Sequence, residues 1–401
     1  MSQFMTTRRT LMGGAAALAG ALALPNLPKA QGAAIRIGTL TPLTGAGGPY
    51  GPVMVKAVKA VVDEVNAAGG VLGRKIELIS EDDQTNPEAG VRAARKLIDV
   101  DKVVAILGTW ASSVTTAVAP LCWESKTFLA TVSGADSITA LPHQGYLIRT
   151  QPNTTLQGRK FGEYCLELGG KRVFFICPQT PFQKSQLENI TLAVKKGGGE
   201  TGSLIYDDKK PSYRSEVDEM LRFKPDVLIL GGYQPDTTVL LRDVFRAGFS
   251  GKKIGFGYSV NQKLIEGLPA DVVEGIYTIS PSPAEGSKAY ERLVKLIGVS
   301  NPDPYTTQIY DHINLVLMAI ALAGDASGTA IKDNVRKVSQ APNGQKVDNA
   351  LDGLKAVAAK QPVDYDGASG PCDFLESGDI TDCKFRYEQV KAGKITLVKV
   401  A

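Results

Sequence analysis

Ile35-Arg36-Ile37-Gly38-Thr39-Leu40 runs into Thr41-Pro42-Leu43-Thr44-Gly45-Ala46-Gly47-Gly48-Pro49-Tyr50-Gly51, and residues 54–67 then repeat apolar side chains at helical spacing. A short apolar run, a Gly/Pro-rich break and a 3.6-period segment read as strand, loop and helix. Outward from it the unit recurs. Residues 75–80, 103–107 and 128–132 predict strands, and 87–99 and 113–124 predict helices. Beyond Pro152 a second series begins: helix 156–168, strand 172–177, helix 184–196, strands 201–206 and 227–230, helix 237–247 and strand 253–257. This alternation predicts an α/β fold of two lobes, each a mainly parallel sheet flanked by helices, with a cleft between them. An apolar helix over 310–323 and a hairpin-like end over 371–398 are too small for a third core. No internal repeat is visible.

Thr7-Arg8-Arg9-Thr10-Leu11-Met12 precedes an apolar run of small residues from Gly13 to Leu24. This is the pattern of a twin-arginine secretory signal over residues 1–30, and it predicts export to the periplasm. The run is well short of the ~20 residues a spanning helix needs, and Pro25 and Pro28 end it, so no membrane insertion of the mature chain is expected. Cleavage is placed between Ala30 and Ala33, where no cysteine is present to take a lipid. The whole chain has 45 Lys and Arg against 41 Asp and Glu. Three of the basic residues, Arg8, Arg9 and Lys29, lie in the leader, so the mature chain is nearly neutral. Without a cluster of Lys and Arg, a nucleic-acid partner is excluded.

Cys372 and Cys383 bracket the turn-like Glu376-Ser377-Gly378-Asp379 in a chain sent to an oxidising compartment. Their spacing fits either a cross-hairpin disulfide, which is the favoured expectation, or two unpaired buried thiols. Cys122, Cys165 and Cys177 read as core. The two histidines, His143 in a loop and His312 at a helix start, stand apart from any Cys or His at ligand spacing, so no metal site is predicted. Gly45-Ala46-Gly47-Gly48 lacks dinucleotide-binding spacing, and neither a phosphate loop nor a Gly-x-Ser-x-Gly elbow is present. No catalytic residue and no cofactor are assigned.

Several segments resemble the branched-chain amino-acid-binding family, the periplasmic receptors of hydrophobic amino-acid ABC transporters. They are Gly38 to Gly45 with Tyr50-Gly51, Glu64-Val65-Asn66-Ala67-Ala68-Gly69-Gly70-Val71-Leu72-Gly73, Asp82-Asp83-Gln84-Thr85-Asn86-Pro87, Gly108-Thr109-Trp110-Ala111-Ser112, Tyr310-Asp311, and Tyr365-Asp366-Gly367-Ala368-Ser369-Gly370. The resemblance implies a type I two-lobe periplasmic binding fold. Its lobes comprise residues 33–151 with 283–385, and 152–282 with 386–401. It implies an ABC permease as membrane partner, with a sensor that docks on a membrane receptor as the alternative use of the same fold.

Loops at the carboxyl ends of parallel strands, followed by helix N-termini, present unpaired N–H groups that suit an anion. Ser112 stands at such a point and reads either as a helix cap or as a carboxylate ligand; the resemblance favours the ligand role. It also implies contacts to the ligand carboxylate from Ser133 and Ala135, and a cover made by Phe182 and Tyr233. Tyr50, Trp110 and Tyr258 read as further pocket walls, against simple packing as the alternative. One departure bears on the ligand. Members of the family that bind amino acids carry an acid near Gly257-Tyr258 to pair the ammonium, whereas no Asp or Glu occurs between Ser250 and Lys263. A buried, unpaired ammonium costs several kcal/mol. The expected ligand is therefore a carboxylate without an amine, aromatic or hydrophobic.

Overall fold

The computed structural model describes residues 32–401; the expected leader lies outside them. β1 (Ile35–Thr41) is almost wholly buried, and the helix Gly51–Ala67 turns Met54, Val58, Val61 and Val65 onto the sheet it follows. Its start at Gly51, ahead of the first apolar residue, reflects Pro52, whose fixed φ suits the first turn. β2 (Ile76–Asp82), β3 (Ala105–Gly108), β4 (Phe128–Thr131) and β5 (Leu147–Arg149) complete a parallel sheet in the order β2-β1-β3-β4-β5.

The second sheet contains β6 (Arg172–Pro178), β7 (Glu200–Tyr206), β8 (Val227–Leu230), β9 (Lys252–Phe256) and β10 (Tyr277–Pro281). Its parallel part runs β10-β9-β8-β6-β7. Read from β7, that is the order of the first sheet repeated, a symmetry the sequence does not display. After the small parallel pair β11 (Gln345–Val347) and β12 (Val363–Tyr365), β13 (Phe385–Lys391) and β14 (Lys394–Val400) add to the edge at β10 as antiparallel strands.

The helix Pro304–Ala323 is buried over nearly its whole length among the helices Gly51–Ala67, Gly328–Ser339 and Ala350–Ala358. It begins six residues before the expected start because Asp303 caps it, accepting from the N–H groups of Tyr305 and Thr306 at 2.9 and 3.1 Å. His312 consequently lies mid-helix rather than at a helix start. Among the described residues no single helix is long and apolar enough to cross a membrane.

The disulfide expected between Cys372 and Cys383 is not formed; both thiols are free. Phe374 pairs with Ile380, and Thr381 N–H donates to Asp373 O at 2.8 Å. That register sets Cys372 opposite Asp382, one residue short of Cys383. A one-residue offset turns the two side chains to opposite faces. Cys122, Cys165 and Cys177 are buried.

Two of the distant motif segments meet inside the first lobe. The Asp311 carboxylate accepts from Tyr365 Oη, from the Ala368 N–H and from the Ser369 N–H, each at 2.8 Å. A Cβ on Gly367 would stand within 2.5 Å of all three atoms of that carboxyl group, so the close approach needs glycine.

Candidate ligand-binding site

The order β2-β1-β3 makes the strand ends of β1 and β3 the switch point of the first sheet, where α/β folds leave a crevice. From the end of β3 the chain turns through Thr109 into Trp110 and the helix Ser112–Glu124. The turn is held from behind by buried hydroxyls. Thr109 Oγ1 and Thr131 Oγ1 lie 2.8 Å apart, and Ser133 Oγ donates to Trp110 O at 3.0 Å. Below them Arg149, fully buried, donates to Ala135 O at 2.7 Å and Thr139 Oγ1 at 3.0 Å while ion-paired to Asp379.

Trp110 is the centre of an aromatic layer between the lobes. The rings of Tyr50, Tyr233, Tyr258 and Tyr305 each stand 5.6 Å from it, Tyr50 stacked and Tyr258 and Tyr305 edge-on. Phe182 adds an edge contact to Tyr258. Tyr233 and Tyr258 follow strands β8 and β9 of the second sheet, so their contacts with Trp110 bridge the two sheets. Polar links bridge them too: Tyr50 Oη donates to Tyr258 O at 2.8 Å, and Asp136 accepts from Asn189 Nδ2 at 2.8 Å and Ser185 Oγ at 3.0 Å. At Gly134 a Cβ would stand 2.7 Å from the Phe182 ring, so this lobe contact also relies on glycine.

The layer encloses a cavity of about 30 Å³ lined by Trp110, Ala111, Ser112, Val132, Gly134, Gln151, Thr180, Phe182, Gln183, Tyr233, Tyr258 and Tyr305. It has room for about one water. No Asp, Glu, Lys or Arg is among these lining residues. Three helices begin at its wall: Ala111 precedes Ser112–Glu124, Thr180 caps Pro181–Lys196 and Tyr233 precedes Gln234–Arg246. Their N-terminal dipole ends and free N–H groups make the space attractive to an anion.

Of the residues expected at the site, Trp110, Ser112, Phe182, Tyr233 and Tyr258 line this cavity. Tyr50 lies behind Trp110, stacked against it. Ser133 and Ala135 do not line it, whereas Val132 and Gly134 do, because successive residues of extended chain face opposite ways. Ser112 does not cap its helix; its Oγ accepts from Ala135 N–H at 3.2 Å. Gln151, Thr180, Gln183 and Tyr305 were not foreseen. Asp303-Pro304 and Thr180-Pro181 are cap-and-proline helix starts that would have placed Tyr305 and Gln183 in first turns.

Asp236 and Asp136, acids that could stand in for the missing ammonium partner, are otherwise engaged. Asp236 is bonded to Tyr206 Oη, and burial pushes its carboxyl up to about 6. Burial also opposes the charge on Asp136, but donors from Thr155, Asn189 and Ser185 prevail and hold that carboxyl below the usual range. Neither lines the cavity.

The model of a periplasmic binding protein family matches residues 34–391. The chain belongs to that family. This binding protein has the type I fold and is a substrate-binding protein of the kind that serves ABC transporters. It is 25% identical over 384 residues to a Leu/Ile/Val-binding protein of Rhizobium johnstonii, covering 95% of this chain and 97% of that one. A leucine-binding protein from Thermotoga maritima superposes with a TM-score of 0.78 at 21% identity, over 91% of this chain and 98% of the other. An ABC-transporter solute-binding protein of Rhodopseudomonas palustris, solved with 3,4-dihydroxybenzoic acid, gives 0.73 at 21% identity, over 92% and 97%.

Proposed function

We propose that this chain captures a small organic acid, aromatic or hydrophobic, by its carboxylate and delivers it to the membrane permease of an ABC importer. The observation that carries the reading is the cavity wall: aromatic rings and helix N-termini with no formal charge. A carboxylate meets N–H groups and the positive ends of three dipoles there. An aromatic ring stacks on Trp110 or a tyrosine, each such pair adding about 0.5–1.5 kcal/mol beyond the area buried. The ammonium of an amino acid finds no carboxylate, which costs several kcal/mol. The Rhodopseudomonas protein holding 3,4-dihydroxybenzoic acid supports the reading, since the same fold there accommodates an aromatic acid.

The mechanism is hinge closure without chemistry on the ligand. The lobes, residues 33–151 with 283–385 and residues 152–282 with 386–401, part to admit the acid, because the shut cavity is too small for it. Contacts made only in the closed form then shift the population toward closure. The closed shape reports occupancy to the permease. The protein works in the periplasm after loss of its twin-arginine leader.

Calorimetry on the mature protein tests this with benzoate and leucine. Saturable binding of benzoate and none of leucine is expected, with the acid recovered unchanged. Tight leucine binding without response to aromatic acids overturns it.

A further inference from the structure

Gln183 sits in the first turn of the helix Pro181–Lys196 and lines the cavity, yet is almost fully buried. Its Nε2 donates to Gly231 O and, at 2.6 Å, to Tyr258 Oη. A backbone carbonyl only accepts, so the nitrogen must face Gly231 and the orientation of the amide is fixed. The other end of the amide, Oε1, is buried with no partner among the described residues. Buried acceptors in folded proteins are nearly always paired, so an orphan on a residue of the cavity wall calls for a donor from the ligand.

We propose that the captured acid carries a hydroxyl group and that Gln183 Oε1 is the acceptor that selects it. The inference rests on the carboxylate reading above and adds the second polar group of the ligand. Tyr258 sharpens the chemistry. Its oxygen accepts from Gln183, which leaves its own O–H hydrogen unused among the described residues. Side by side, the site offers one free acceptor and one free donor. A hydroxyl donates and accepts at once and satisfies both. An ammonium only donates, and at the positive end of this helix its charge is repelled. Gln183, Gly231 and Tyr258 all stand on second-lobe elements, on or next to the strands and helix of that sheet. The pair therefore keeps its geometry when the cleft opens and is presented intact to an arriving ligand.

The test is calorimetry of the mature protein with matched acids: benzoate against 3- and 4-hydroxybenzoate, and phenylacetate against 4-hydroxyphenylacetate. At least one hydroxylated acid is expected to bind roughly ten- to hundredfold more tightly than its parent, the range set by leaving or filling a buried acceptor. In Gln183→Met that preference, read as the ratio of the two affinities within the same variant, disappears, with circular dichroism confirming the fold. Should the variant not fold, the wild-type series decides alone. Equal affinity for parent and hydroxylated acids, or a preference that survives in Gln183→Met, overturns the inference and leaves the carboxylate reading standing. Binding of leucine with no binding of any aromatic acid overturns both.

Discussion

Tyr50 Oη donates to the backbone carbonyl of Tyr258 across the cleft at 2.8 Å, joining a loop of the first lobe to one of the second. Under the proposed hinge closure, the bond is made only in the closed form. Removing it in Tyr50→Phe keeps the ring stacked on Trp110 while costing the closed state about 0.5–1.5 kcal/mol. Small-angle scattering should show a larger open fraction in the unliganded variant, and affinity for the aromatic acid should fall by the same free energy.

Ser112 is bound to Ala135 N–H, not to its own helix. Ser112→Ala leaves that buried N–H unpaired, so urea denaturation should show a loss of about 1–3 kcal/mol. Among the described residues the hydroxyl hydrogen of Ser112 has no acceptor, which leaves it to meet a carboxylate. Calorimetry should therefore find weaker acid binding in the same variant, and unchanged affinity would confine Ser112 to a structural role.

Arg149 supports the loop 133–139 from below and is neutralised by Asp379. Burial lowers its readiness to hold a proton, and Asp379 offsets that only in part. Breaking one partner of a buried pair strands the other charge. Asp379→Ala is expected to cost about 3–5 kcal/mol in a denaturant titration, far more than loss of the exposed pair Lys59–Asp63.

Burial pushes the Asp83 carboxyl up to about 7; the Thr85 N–H opposes the rise and the charge of Asp82 adds to it. In the unfolded chain the group titrates near ~3.9. The folded protein therefore holds a proton that unfolding releases. This contribution is complete below about pH 4 and is lost as pH rises through 7. Asp83→Asn should flatten that part of the profile, gaining on the order of 2–4 kcal/mol on wild type between pH 4 and 8. Urea midpoints measured across that range check it.

Most strands of both sheets, though not β5 and β10, were legible because each is an apolar run between turn residues, and period 2 or 3.6 survives in local sequence. The repeated strand order was not, since the two lobes share a path of the chain without sharing side chains. Trp110, Ser112, Phe182, Tyr233 and Tyr258 were legible as residues just past strand ends, where α/β folds place ligands. The facing of Val132 and Gly134 in place of Ser133 and Ala135 depends on which side of an extended segment meets the cavity, and that phase is set by neighbours distant in sequence. The free thiols of Cys372 and Cys383 follow the same logic, a one-residue register fixed by Phe374 and Ile380.

The sequence by itself determined the class of the fold, its family, and the loss of an acid where an ammonium would need one. Each rests on residue identity along a local stretch. Only the tertiary structure decided what shares the cavity: rings from both lobes around Trp110, three helix starts, and the unpaired oxygen of Gln183. Burial and pairing are properties of atoms brought together from far along the chain, and no local pattern records them.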